Sequence, residues 1–151
     1  MSEADKLLVV GIGNAFRSDD GVGPFVAEAL LAKGHPALVH AGDGTGLMDL
    51  FQMHGRLVLV DATRSGTEPG TMVSFDALVQ KLPAELFHYS THRFGLAEAV
   101  ETARALGSLP NALTVYGIEG GNFEAGTQLS EAVREAAGRL IEELAGTLSD
   151  P

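Results

Sequence analysis

Gly11-Ile12-Gly13-Asn14-Ala15-Phe16-Arg17-Ser18-Asp19-Asp20-Gly21-Val22-Gly23 decides how the rest of the chain is read. The apolar run at 7–10 leads into it, and Val22, Phe25, Val26, Ala29 and Leu30 leave it at helical spacing. Strand, glycine-rich turn and helix open a parallel α/β unit, and the turn lies where such a sheet opens its ligand crevice. Two adjacent carboxylates, Asp19 and Asp20, stand in that turn. A phosphate cradle of the G-x-G-x-x-G type needs glycine where Phe16 stands, and two acids repel an anion. The plainer alternative is that both acids only favour the positive end of the following helix, whose first turn also suits Pro24.

Outward from the turn, strands alternate with helices. Residues 7–12 read as a buried strand, and the first helix is expected over 22–33, stopped near Gly34 and Pro36. A weaker strand follows at 37–41, then a glycine-rich turn in which Thr45 is placed to cap a short helix over 47–53. Leu57-Val58-Leu59-Val60 is the clearest strand and ends at Asp61. Residues 71–75 follow through a polar loop without a helix, which suits an antiparallel edge strand. Residues 76–95 show no clear period and contain Ser90-Thr91-His92-Arg93-Phe94-Gly95. Leu96, Val100, Ala103 and Leu106 make a helix face, 113–118 a strand running into Glu119-Gly120-Gly121. Val133, Ala136, Ala137, Leu140, Ile141 and Leu144 form the stripe of a last helix over 130–148, with Ser130 as its cap. The expected architecture is an α/β three-layer sandwich, a mostly parallel twisted sheet of about five strands with helices on both faces. One domain, 1–151, suits the length.

The formal net charge of -10 argues against a nucleic-acid partner and against an anionic membrane surface. The chain has no cysteine, which removes disulfides, thiolate metal sites and a cysteine nucleophile. Any metal ligand must therefore be Asp, Glu or His. The first six residues are polar, unlike a secretory signal, and no apolar run is long enough to span a bilayer. A soluble cytoplasmic protein is expected.

Ligands of an open α/β sheet bind beyond the carboxyl ends of its strands. Asp19 and Asp20, Asp61, and Glu119 all fall on that edge, and the loop carrying His92 is able to reach it. Carboxylates with one imidazole suit a divalent first-row metal in an open site. Each residue also has a plainer use. Asp61 at a strand end often closes an Asx turn, a single histidine is usually a surface or capping group, and Glu119 could equally support the site or simply face solvent. His35, His40, His54 and His88 have weaker cases. There is no G-x-S-x-G elbow, Ser18 and Ser90 lack an obvious base, and phosphoryl transfer is poorly served by so few cations near the turn.

GIGNAFRSDDGVG at 11–23, LVLVDA at 57–62, STHRFGL at 90–96, VYGIEG at 115–120 and GTQLSEAV at 126–133 together resemble the hydrogenase maturation endopeptidases. These are nickel-dependent proteases that finish the large subunit of nickel–iron hydrogenases, and the resemblance covers nearly the whole chain. It implies that Asp20, Asp61 and His92 form the catalytic site and bind the metal. The first position is Glu in some members, so Asp20 is one methylene shorter here. Asp19 would orient the site. The family's GIEP-like segment reads GIEGG, which leaves Glu119 without an assigned role. The resemblance further implies a partner and a cofactor. The partner is a hydrogenase large-subunit precursor whose C-terminal extension is removed. The metal is nickel borne by that precursor, though another divalent ion can occupy such ligands. A nickel-loading sensor or maturation chaperone of the same fold, which binds without cutting, is the alternative.

Overall fold

The computed structural model describes residues 6–87 and 92–149. Five strands form one sheet: β1 (Leu7–Ile12), β2 (Ala37–His40), β3 (Arg56–Thr63), β4 (Met72–Asp76) and β5 (Ala112–Glu119), in the order β2-β1-β3-β5-β4. Pairing is parallel except between β4 and β5. The expected antiparallel edge strand is therefore present, and it lies beside β5 rather than beside its predecessor β3.

Along β1 and β3, successive residues point to opposite faces, and both faces are buried. Val9, Val58 and Val60 join one core with Val22, Val26 and Leu30 of α1 (Val22–Ala32) and Leu140 of α5 (Glu131–Ser149). Val10, Leu57 and Leu59 join the other with Leu47 and Phe51 of α2 (Gly44–Met53) and Val100 of α4 (Leu96–Leu106). Helices thus cover both faces of a mostly parallel sheet. The short α3 (Ala84–Phe87) falls in the stretch that showed no period. No described helix is long and apolar enough to cross a membrane.

β1 and α1 touch backbone to backbone. A side chain on Gly11 would run into the Gly23 carbonyl, and one on Gly23 into the Ile12 and Val60 carbonyls. Gly11 and Gly23 thus let the first helix lie directly on the strands.

Two boundaries and one cap differ from expectation. α2 begins at Gly44, and its cap is Asp43, whose carboxylate accepts the Gly46 N–H at 3.0 Å. Thr45, the expected cap, lies inside the helix. Ser130 gives its hydroxyl to Asp19 instead of capping α5. β3 continues past Asp61, because its ladder with β5 goes on through Asp61↔Gly117, Ala62↔Ile118 and Thr63↔Glu119. On its other side the ladder with β1 stops at Gly11↔Val60. Aspartate is a poor strand residue by itself, and pairing with β5 overrides that preference. Asp61 therefore stands inside β3, at the level where β1 has turned away and left one flank open.

Candidate functional site

The strand order reverses between β1 and β3, and ligands of open α/β sheets sit at that switch point. The chain leaves β1 through Gly13, whose φ of 146° puts it in the left-handed region, and closes a single 3-10 turn, Ser18–Gly21. Ser18 has a φ of 53°. Its N–H donates to the Gly126 carbonyl at 2.9 Å and its hydroxyl to the Glu124 carbonyl at 2.8 Å, which hold that strained backbone in place.

This turn sends the two adjacent acids different ways. Asp19 is fully buried. Its carboxylate accepts the N–H groups of Gly121 at 2.8 Å, Asn122 at 2.9 Å and Ser130 at 2.7 Å, and the Ser130 hydroxyl at 2.7 Å. Burial alone pushes this carboxyl up, but the Ser130 hydroxyl and the backbone donors outweigh it and hold the pKa below the ordinary value. Asp19 is a clasp between the turn and the start of α5, and it does not line the cavity below.

Asp20 turns into a cavity of about 50 Å³, which it shares with Asp61, Arg17 and Asn14. Its Oδ2 accepts the Asn14 N–H at 2.9 Å. Burial pushes its carboxyl above the ordinary value, opposed by that hydrogen bond and by the Arg17 charge. Asp61 enters from β3, 7% exposed, with one oxygen accepting the Ala62 N–H at 2.8 Å. Its pKa lies well above the ordinary value, first through burial and then through the Asp20 charge. Burial and the Asp20 charge together oppose ionisation of Asp61 in this small cavity. An incoming divalent cation reverses that balance, because it favours both ionised forms. Phe87, Leu96 and Phe123 supply apolar walls to the cavity.

His92 stands at the rim. The Phe94 carbonyl accepts the Gly44 N–H at 2.7 Å and ties the segment carrying His92 to the start of α2. The His92 ring lies beside Gly42, which lines the acid cavity, and borders an adjoining trough. Of the three expected residues, two share a cavity and the third flanks it. Among the described residues no three Asp, Glu or His side chains are gathered tightly enough to hold an ion. His88, Ser90 and Thr91 lie outside the described residues.

Glu119 neither faces solvent nor joins the cavity. It is 2% exposed, and it accepts the Thr63 hydroxyl at 2.7 Å, the Ser65 N–H at 2.8 Å and the Gly66 N–H at 3.0 Å. Burial raises its pKa, but the Thr63 and Ser65 bonds outweigh that and leave it below the ordinary value. It fastens the loop after β3 to the end of β5.

His40, given little weight in the sequence, proves to be a neighbour of His92. Burial lowers its pKa, the Asp43 charge raises it, and the His92 charge lowers it again. Its Nδ1 accepts the Gly42 N–H at 2.9 Å, so Nε2 carries the proton in the neutral ring. Its place at the carboxyl end of β2 was the one available sign.

The sequence profile of the hydrogenase maturation protease family matches residues 26–147. The chain belongs to this family. The match takes in Asp61 and His92 and begins after Asp20. The chain is 34% identical over 122 residues to the hydrogenase expression/formation protein HupD of Rhizobium leguminosarum bv. viciae, which aligns 77% of this chain with 60% of that protein. It is 29% identical over 152 residues to the hydrogenase 2 maturation protease of Escherichia coli strain K12, covering 96% of this chain and 92% of the relative. The solved hydrogenase maturating endopeptidase HybD from E. coli superposes with a TM-score of 0.75 at 25% identity, covering 95% of this chain and 91% of HybD. Its α/β fold is thus that of the maturation proteases.

Proposed function

We propose that this chain is the endopeptidase that cuts the C-terminal extension from a hydrogenase large-subunit precursor, and that it recognises the precursor by the nickel it already carries. Membership of the maturation protease family supports the protease part. The observation that carries the site is the pairing of Asp20 with Asp61 in one buried cavity at the switch point.

On this proposal the nickel arrives as part of the substrate. Carboxylate and imidazole donors suit it, and two carboxyls in one cavity fit a divalent ion. The third donor, His92, has to close on the ion from the rim as the precursor docks. An ion held by Asp20, Asp61 and His92 would supply Lewis-acid chemistry beside the scissile carbonyl. A divalent ion there would favour the ionised forms of Asp20 and Asp61, and the Arg17 charge and the Asn14 N–H act on Asp20 at the cavity wall.

The test compares nickel-loaded and nickel-free precursor, with the cut product weighed by mass spectrometry. Cleavage of the loaded form alone is expected, and Asp20→Asn, Asp61→Asn and His92→Ala each slow it by about 100-fold or more. Equal cutting of both forms removes nickel from the proposal. Tight binding without cutting makes the chain a sensor. Normal processing by His92→Ala takes His92 out of the site.

A further inference from the structure

We infer that the outer edge of β2 is a docking strand for the substrate chain as it leaves the acid cavity, an inference that rests on the protease reading. β2 is the edge of the sheet, and beyond it no described strand pairs. In its parallel ladder with β1, the Val9 N–H donates to the Pro36 carbonyl at 3.3 Å and the Gly13 N–H to the His40 carbonyl at 3.1 Å. Alternate residues of a strand turn their backbone groups to opposite sides. Positions 36, 38 and 40 therefore face β1, and Ala37, Val39 and Ala41 present their N–H and C=O outward.

A trough of about 390 Å³ runs along this edge, walled by Phe16, Pro24, Glu28, Val39, Ala41 and His92. It shares Gly13, Asn14 and Ala41 with the acid cavity, so a chain passing through one continues into the other. Phe16 is 72% exposed and Val39 45%, apolar surface set at the mouth of the site. The Phe16 backbone is pinned on both sides. Its N–H donates to the Asn14 side chain at 2.9 Å and its carbonyl accepts the Gly126 N–H at 2.9 Å. The trough's charged and titratable lining consists of Glu28 and His92, with no lysine or arginine. A free row of backbone donors and acceptors, apolar walls and one acid suit an extended peptide of neutral or basic character that adds itself as a strand. An acidic segment is repelled. The occupant is the stretch of the large-subunit precursor next to the scissile bond.

Val39→Pro tests the edge. It removes the outward N–H, leaves the ladder to β1 untouched, and puts proline where an edge strand tolerates it. With nickel-loaded precursor as the probe, Val39→Pro is expected to raise KM by several-fold to about tenfold, the range of one lost backbone hydrogen bond, with kcat within about twofold of wild type. Its Tm should match the parent. Val39→Lys, which fills the trough from an exposed position, raises KM in the same way and decides the matter if the proline variant does not fold. A folded Val39→Pro, or a Val39→Lys, that processes precursor with the wild-type KM overturns the inference. So does a dimer of this chain that Val39→Pro abolishes, because a second copy is then the occupant of the edge. If wild type itself cuts no loaded precursor, the protease reading has failed. If wild type cuts and both variants cut equally well, only the docking strand has.

Discussion

Asp61 is held against its own chemistry. One of its oxygens accepts a backbone N–H, burial and Asp20 both oppose its charge, and its folded pKa lies well above the ordinary value of 3.8. A group whose pKa is raised by folding destabilises the fold at every pH above its unfolded value, because ionisation favours the unfolded chain. Asp61→Asn should therefore raise Tm at pH 7, by about 2–4 °C for each 1 kcal/mol relieved in a chain of this size, while ending processing. The gain should vanish at pH 3, where the unfolded carboxyl is protonated too. A lower Tm at pH 7 would sink the claim that the cavity strains this acid. At the same scale, Asp19 and Asp20 show what a sequence conceals. As neighbours they are equally acidic, and nothing local tells which one enters the cavity. The decision is made by partners of Asp19 that lie 102 to 111 positions further along the chain. Glu119 was illegible for the same reason, since Thr63 and Ser65 reach it across the sheet.

Elements were easier to read than single side chains, wherever one period ran long enough. β1, α1, β5 and α5 announce themselves by apolar spacing, because each buries a continuous face. β3 shows why boundaries slip: its last three residues are strand by virtue of β5 alone. The glycines divide in the same way. Gly23 is pressed against the Ile12 and Val60 carbonyls, while nothing lies within 4 Å of the place where Gly138 of α5 would carry a side chain. Gly23→Ala forces α1 off the strands and should cost about 2 kcal/mol or more in urea unfolding. Gly138→Ala should add about 0.5–1 kcal/mol, the ordinary helical preference. If the two substitutions move stability in the same direction, contact between β1 and α1 is not what fixes their spacing.

For the whole molecule, two buried carboxylates set the response to acid. Asp19 and Glu119 have folded pKa values below their ordinary 3.8 and 4.5. Their stabilisation is complete above those ordinary values and drains away as pH falls through the lower folded ones. Glu119→Gln should lower Tm at pH 7, by the equivalent of about 1–3 kcal/mol, because an amide cannot accept from every donor that now meets the carboxylate. The deficit should shrink as pH falls from 5 to 3. Thermal scans across that range check it, and a constant deficit would mean that the charge of Glu119 is not what matters. The clasp at Asp19 also bears on how the protein comes into being. Chains emerge from the ribosome amino end first, so the acidic turn is made early and waits for Ser130, more than a hundred residues behind. Until residues 121–130 arrive, Asp19 has none of its long-range donors, and nothing aims the two acids apart. The part of the chain written first is thus among the last to take its working shape, and a nascent chain has no finished cavity to offer a ligand.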